Sequence, residues 1–408
     1  MEREMQPKLR AIEARLVQQG GQPAIMLRDP LQLSGQAIFL RPQLAPLLEL
    51  CDGTRDESAL RAALAVRAGI RLTPTALEHI LAQLDDALLL DNERFAQAYA
   101  AALQEFRAAP YRAPGLAGIN YPARCEELRA MLQGYMDSVP DPGRQTDDRP
   151  IRGLVSPHID YQRGGPVYAQ VWSRVAEAIR EAEIVIVFGT DHLSGEAGLT
   201  LTRQHYATPW GVLPTAHHVV EAMAQAMGDQ VAFREELHHR VEHSIELATV
   251  WLHYLLGNRS CALVPILCGP FQRFVTGDAP PGQDATMSAA IEALRAATAS
   301  SRTIVVAAGD LAHVGPAFGD PYPVDLVGRA RLTTADQQLM AAICAGDAEA
   351  FFQRVKEEQD RRRICGLPPI YLTLRYLDGA TGEASGYMQC PADQRGTSLV
   401  SICGVVLR

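Results

Sequence analysis

The sequence predicts an α/β protein, a mostly parallel sheet flanked by helices on both faces, preceded by a small winged-helix-like domain. Three observations predict it. From residue 151 onward, apolar runs of strand length alternate with amphipathic helical stretches, the pattern of strands joined by crossover helices. A separate block of capped helical segments occupies residues 24–95. Between the two, FRAAPYRAPGLAGINYP (106–122) is rich in Pro, Gly and Ala, which discourages regular structure and marks a linker. The expected boundaries are therefore a first module over 1–110, a linker over 111–120 and the α/β domain over 121–408.

Length and composition agree. A chain of 408 residues is too long for one ordinary core, and the length prior suggests two or three domains. Hydrophobic residues make up 47% and charged residues 21%, the profile of a globular protein with a sizeable core. The net charge is -9 and no long basic run occurs, so a nucleic-acid partner is excluded on electrostatic grounds. MEREMQPKLRAIEARL lacks the apolar centre of a signal peptide, and no later stretch reaches membrane-spanning length; the reading is a cytoplasmic protein with no membrane partner. Eight cysteines are scattered without a CxxC pair, which indicates neither a disulfide framework nor a zinc ribbon. Most are expected to be small buried residues.

In the first module, Asp56 and Thr73 are placed as N-caps, each followed by helical apolar spacing. ALLLDNERF (87–95) reads as a short strand or hairpin edge. Helices plus a small ribbon suggest a winged helix, a shape often used on DNA, yet residues 1–110 carry 12 Lys and Arg against 14 Asp and Glu, net -2. A DNA reader does not follow. The stretch LSGQAIFLRPQLAPLLELCDG, followed by a helix and LAQLDDALLL, resembles the small peptide-binding modules of the PqqD type. That resemblance implies a peptide or protein substrate docking here; a stabilising domain with no ligand of its own is the alternative.

In the α/β domain the expected strands are IRGLVS (151–156), EIVIVFG (183–189), CALVPILCG (261–269) and RTIVVAAG (302–309), with AQVWSRVAEAIREA and MSAAIEALRAATA as helices. Three strands end on chemistry. GLVS runs into Pro157-His158, IVIVFG into Asp191-His192, and IVVAAG into Asp310-Leu311-Ala312-His313. In an open α/β sheet the carboxyl ends of the strands form one ligand-binding edge, so these segments can converge. Imidazoles and carboxylates gathered there suit a metal ion. Sulfur comes from Cys365 in RRRICGLPPIYLTLRYL, just ahead of a helix that Pro368 and Pro369 start. A helix N-terminus with Arg362 and Arg363 beside it is expected to favour thiolate.

NYPARCEELRAMLQGYM, SPHIDY, GTDH, QHYATPWGVLPTA, EHSIEL, ALVPIL, GDLAHVG, CGLPPI and GTSLVSICGVVL stand in this order over residues 120–408. The ordered set resembles the Memo family, called AmmeMemoRadiSam system protein B in bacteria, whose fold is related to the class III extradiol dioxygenases. The resemblance places the metal ligands on His158, His192 and Cys365 and further pocket residues on Asp310 and His313. Family members often have a small residue and Gly after the first ligand His, whereas Ile159-Asp160 stand here and set a carboxylate at the pocket mouth.

Two imidazoles and one thiolate leave coordination positions open. The implied cofactor is a divalent metal, Fe(II) first, with Cu or Zn also compatible. His313 is the acid/base candidate, oriented by Asp310; bracing of the metal shell by both is the alternative. Asp160, Tyr161, Asp191 and His243 are expected to line the pocket. Glu242 and Glu246 are placed together on one face of a helix opening at EHSIE, with His217-His218 and His238-His239 on the surface. Arg163 either meets an anionic substrate or forms a surface ion pair. The functional expectation is a metal-dependent redox enzyme acting with a radical SAM protein. A non-catalytic adaptor and a zinc hydrolase are the rivals.

Overall fold

The computed structural model describes residues 6–140, 149–193 and 195–408. The chain divides into two compact units, Met1–Ala108 and Ala109–Arg408.

In the first unit three antiparallel strands, β1 (Glu13–Gln19), β2 (Gln22–Arg28) and β3 (Ala37–Leu40), accompany the helices Ala45–Leu50, Glu57–Ala68, Pro74–Asp86 and Glu93–Ala108. The caps fall where the sequence places them: Asp56 accepts from Ala59 N–H and Thr73 from Ala76 N–H. Leu27, Leu47, Leu60, Leu64, Leu77 and Leu84 fill the core. ALLLDNERF is not a strand. Leu90 makes only an isolated bridge to Leu9, because Asn92 accepts from Phe95 N–H at 3.0 Å and so caps a helix from Glu93.

The second unit is built on an eight-stranded mixed sheet. Its centre holds four parallel strands in the order β4 (Gly153–Ser156), β10 (Thr303–Ala308), β5 (Ile184–Thr190) and β9 (Ala262–Cys268). Short β6 (Leu199–Leu201) extends it antiparallel beside β9. A separate hairpin pairs β7 (Tyr206–Thr208) with β8 (Gly211–Leu213). On the far side, β13 (Leu399–Leu407) lies antiparallel to β4, and both β11 (His313–Val314) and β12 (Gly382–Pro391) pair with it.

Successive strand residues point to opposite faces, and both are covered. Ile186, Phe188, Val264, Val305 and Ala307 pack with helices His217–Met227, Ala285–Thr298 and Leu367–Leu377. Their neighbours Val185, Val187, Leu263, Ile304 and Val306 pack with helices Cys125–Ser138, Tyr161–Glu181 and Ser244–Leu256. Continuous apolar runs rather than alternating ones are the consequence. Among the described residues no helix is long and apolar enough to cross a membrane.

The stretch read as a linker belongs to the second unit. Arg112 is buried and ion-paired with buried Glu246, and it donates to the carbonyls of His239 and Glu242 at 2.9 and 2.8 Å. Glu246 also accepts from Gly115 and Leu116 N–H and from the Tyr121 hydroxyl. Its Pro/Gly content reflects irregular backbone, which here is satisfied by one carboxylate rather than by water.

Candidate metal centre

The register explains why the candidate ligands meet. Ala308 of β10 sits opposite Ser156 of β4 and Gly189 of β5, so three adjacent parallel strands end at one level and release His158, Asp310 and His192 side by side. The helix Ser244–Leu256 is pinned to the same edge by Ser244 Oγ donating to the Thr190 carbonyl at 2.9 Å, which brings in His243. The Cys365 segment is tied down by Thr190 Oγ1 donating to the Cys365 carbonyl and Gly366 N–H to the Asp310 carbonyl. Here glycine is required: a Cβ on Gly366 would lie 2.5 Å from the Asp310 oxygen, and one on Gly309 2.5 Å from the Gly366 Cα.

Each of the three rings is anchored through Nδ1. His158 Nδ1 lies 3.0 Å from the Ala308 carbonyl, which can only accept; Nδ1 therefore carries the proton and Nε2 the lone pair. His192 Nδ1 and His243 Nδ1 both meet the buried Glu242 carboxylate, at 3.1 and 3.0 Å. The three Nε2 atoms are thus the ones left free of these anchors, the arrangement expected of ligand histidines. The ring centroids stand 4.7–5.4 Å apart.

Cys365 Sγ lies 3.2 Å from His158 Nε2 and 3.6 Å from the Asp310 carbonyl. Ligand atoms of His158, His192 and His243 fall within 4.8 Å of one another, as do those of His158, Asp310 and Cys365. The two groups share His158. Either group, three imidazoles or an imidazole with a thiol and a carboxylate, offers donors that suit a divalent transition metal.

Burial and neighbouring charges shift the protonation of the whole cluster. Burial, then the rings of His192 and His243, hold His158 well below the usual imidazole range. Burial also disfavours charge on His192, but the Glu242 carboxylate and Cys365 outweigh it and raise the ring well above that range. Glu242 is the converse: burial pushes it up, yet His192 and His243 hold it well below the carboxylate range. Burial takes Asp310 up to about 6.

Several expected roles change. Burial raises the Cys365 thiol, and the arginines do not counter it: Arg362 is engaged by Asp336 and Glu358, and Arg363 by Asp320. Asp310 does not orient His313. Its Oδ1 accepts from His158 and Ile159 N–H at 2.8 and 3.3 Å and so fixes the His158 turn, whereas His313 Nδ1 faces the Arg363 carbonyl at 3.1 Å. Burial and the charge on His192 lower His313 to about 4.

Asp160 caps the helix Tyr161–Glu181 through Arg163 N–H and pairs with the Arg163 guanidinium, so that arginine forms an ion pair on its own helix turn. The helix starts eight residues before AQVWSRVAEAIREA, so YQRGGP is helical despite Pro166. Tyr161, its first residue, turns inward, donating to the Leu247 carbonyl at 2.6 Å beside Trp251; it is core, not pocket. Asp191 and His192 do line a cavity of about 220 Å³ with Cys365, Phe271, Asp360 and Leu367.

His238 and His239 are buried rather than on the surface. His238 Nδ1 meets Asp191 at 2.7 Å, and His239 sits between the Tyr206 hydroxyl and the Thr200 carbonyl. Glu242, placed by the sequence on a helix face, precedes the helix and holds two rings. Its only sequence signal is a carboxylate next to a histidine that opens an apolar helix.

A sheet edge carrying imidazoles and a thiol, each ring oriented by a second hydrogen bond, defines an α/β protein with a candidate metal centre. The Memo family, described as Memo-like protein, matches residues 112–401. The chain belongs to the Memo family. It is 26% identical to a MEMO1 family protein of Aquifex aeolicus over 408 residues, covering 98% of this chain and all of that relative; that alignment takes in the first unit as well. A MEMO1 family protein of Methanopyrus kandleri is 29% identical over 284 residues, 68% of this chain and 91% of the relative. One of Archaeoglobus fulgidus is 26% identical over 300 residues, 73% and 99% respectively.

Proposed function

We propose that the protein is a metal-dependent redox enzyme whose His158, His192 and Cys365 hold a non-haem Fe(II) ion. The observation that carries this reading is the set of Nδ1-anchored rings beside the Cys365 thiol. His243 is a further ligand candidate, since its Nδ1 is anchored in the same way. Bound iron would supply one-electron chemistry beside the cavity that His192 and Cys365 line. The chain's own residues would orient the donors, through Glu242, Asp310 and the Ala308 carbonyl, and exclude bulk water. His313, held neutral by its burial, would accept a proton from a bound substrate.

The test is protein purified without added metal, analysed for iron, copper and zinc, then treated anaerobically with nitric oxide. An open Fe(II) site gives the high-spin nitrosyl resonance in wild type, and His158→Ala and His192→Ala lose it. Stoichiometric zinc with no such resonance ends the iron reading and supports a hydrolase.

The companions we propose are a radical SAM protein and a peptide or protein substrate received by the first unit. The stretch LSGQAIFLRPQLAPLLELCDG, which resembles peptide-binding modules of the PqqD type, supports that reading. An adaptor with no turnover of its own is the second reading. Deleting residues 1–108 would then abolish association with the companion while metal removal changes nothing. We place the reaction in the cytoplasm, a reading that all eight cysteines being free supports.

A further inference from the structure

A second concavity lies on the other side of the loop that carries Cys365. It encloses about 460 Å³ and is floored by Val314, Val324, Leu332 and Ala335, within the size of specific ligand sites, about 300–1,000 Å³. One wall is the first turns of the helix Leu326–Cys344, the other the segment Glu358–Arg362.

The charges on its rim are unequal. Arg362 is neutralised by Asp336 and Glu358, and Asp325 is spent capping the helix through Gly328 N–H. Arg331 and Arg361 also line the groove, both are exposed, and neither has an ion-pair partner within 4.0 Å among the described residues. Two guanidiniums without an ion pair among the described residues thus stand beside an apolar floor.

The apolar surface does not stop at the cavity. Tyr322, Leu326 and Val327, adjoining the groove in sequence, are 78%, 84% and 56% exposed. Adjacent exposed large side chains of this kind mark protein-interaction surfaces more often than small-molecule pockets. Arginine and tyrosine are also the residues that anchor such interfaces.

We propose that this groove docks a segment of a partner protein that carries apolar side chains flanked by carboxylates. Charge complementarity selects that occupant: Arg331 and Arg361 attract acidic groups in a bidentate geometry and repel basic ones, while the floor takes the apolar anchors. The position is informative. The Arg362 carbonyl accepts from His313 N–H at 2.7 Å, so the groove and the candidate metal centre are two faces of one loop. That loop holds Gln359, Asp360 and Arg363 at φ of 53°, 47° and 53°, a left-handed conformation that is costly for non-glycine residues and is retained where surrounding structure over-determines it. A segment docked here ends one loop away from Cys365.

The test uses the full chain and a displayed library of random twelve-residue peptides, panned on wild type with counter-selection on the R331E/R361E double variant, whose metal content and melting profile are compared with wild type. Peptides rich in Asp and Glu beside Leu or Phe should be enriched. Resynthesised and labelled, they should bind in fluorescence polarisation about tenfold or more weakly to the double variant and to Leu332→Asp, and weaken with salt. Enrichment of basic peptides, or no difference between wild type and variant, overturns the proposal. So does concentration-dependent dimerisation abolished by R331E/R361E, which would make a second copy the occupant. Binding of dodecanoate with no peptide enriched would assign the groove to a small amphiphilic anion instead.

Discussion

Replacing Glu242 by Gln should weaken metal binding without unfolding the protein. Glu242 is buried and accepts from the N–H groups of His192, His243 and Ser244 at 2.9, 2.7 and 3.0 Å, and from the rings of His192 and His243. A carboxylate has about four lone-pair sites for these five donors; an amide keeps one acceptor oxygen and turns two donors toward them. At least one imidazole must then lose its anchor, and with it the fixed direction of its Nε2. Losing such an outer partner costs roughly 10–100-fold in metal affinity, or about 1.4–2.7 kcal/mol. Competition between apo protein and a coloured chelator for Co(II) or Zn(II) measures it, with circular dichroism confirming the fold. Affinity for E242Q within about twofold of wild type would show that the anchoring of His192 and His243 is irrelevant to the ion.

The geometry carries three further outcomes. Gly366→Ala should cost on the order of 1–3 kcal/mol and lower metal affinity, because its Cβ meets the Asp310 carbonyl at 2.5 Å and pushes the Cys365 segment off the strand end; thermal denaturation with metal titration reads both. Arg112→Met leaves Glu246 charged and buried, a loss of about 3–5 kcal/mol, and should lower the melting temperature far more than R163M at the half-buried Asp160 pair. His239 is buried and its burial lowers it to about 3, so the folded state takes up its proton later than the unfolded chain does. Its contribution is therefore complete above about pH 6.5 and is lost as pH falls toward about 3. Over that window H239Q should show a shallower fall in stability, by on the order of 1 kcal/mol per pH unit.

Much of the centre is legible in the sequence because it obeys strand logic. His158, His192 and Asp310 each stand just past an unbroken apolar run, and parallel strands of equal register must deliver their next residues to one edge. Cys365 is legible from the helix start at Pro368-Pro369. The support is not. Glu242, His238 and His239 lie in HHRVEHSIEL, a stretch whose polarity reads as surface; only tertiary packing brings Asp191, Arg112 and Tyr206 over to bury it. Arg112 sits in a segment whose prolines and glycines signal irregular backbone but cannot distinguish a free linker from one clamped by Glu246. Tyr161 reads as pocket from its place beside His158, yet Asp160 caps the helix and turns the next side chain into the core. The helix at Glu93 is hidden by the LLL ahead of it, which imitates a strand until Asn92 is recognised as its cap.

The direct test of the centre is X-ray absorption at the edge of the metal the protein carries. The spectrum should contain one sulfur at about 2.3 Å and two or three imidazole nitrogens at about 2.0–2.1 Å, and C365S should lose the sulfur while the imidazole scattering persists. A spectrum without sulfur, or one unchanged in C365S, would contradict the assembly of His158, His192 and Cys365 around a single ion.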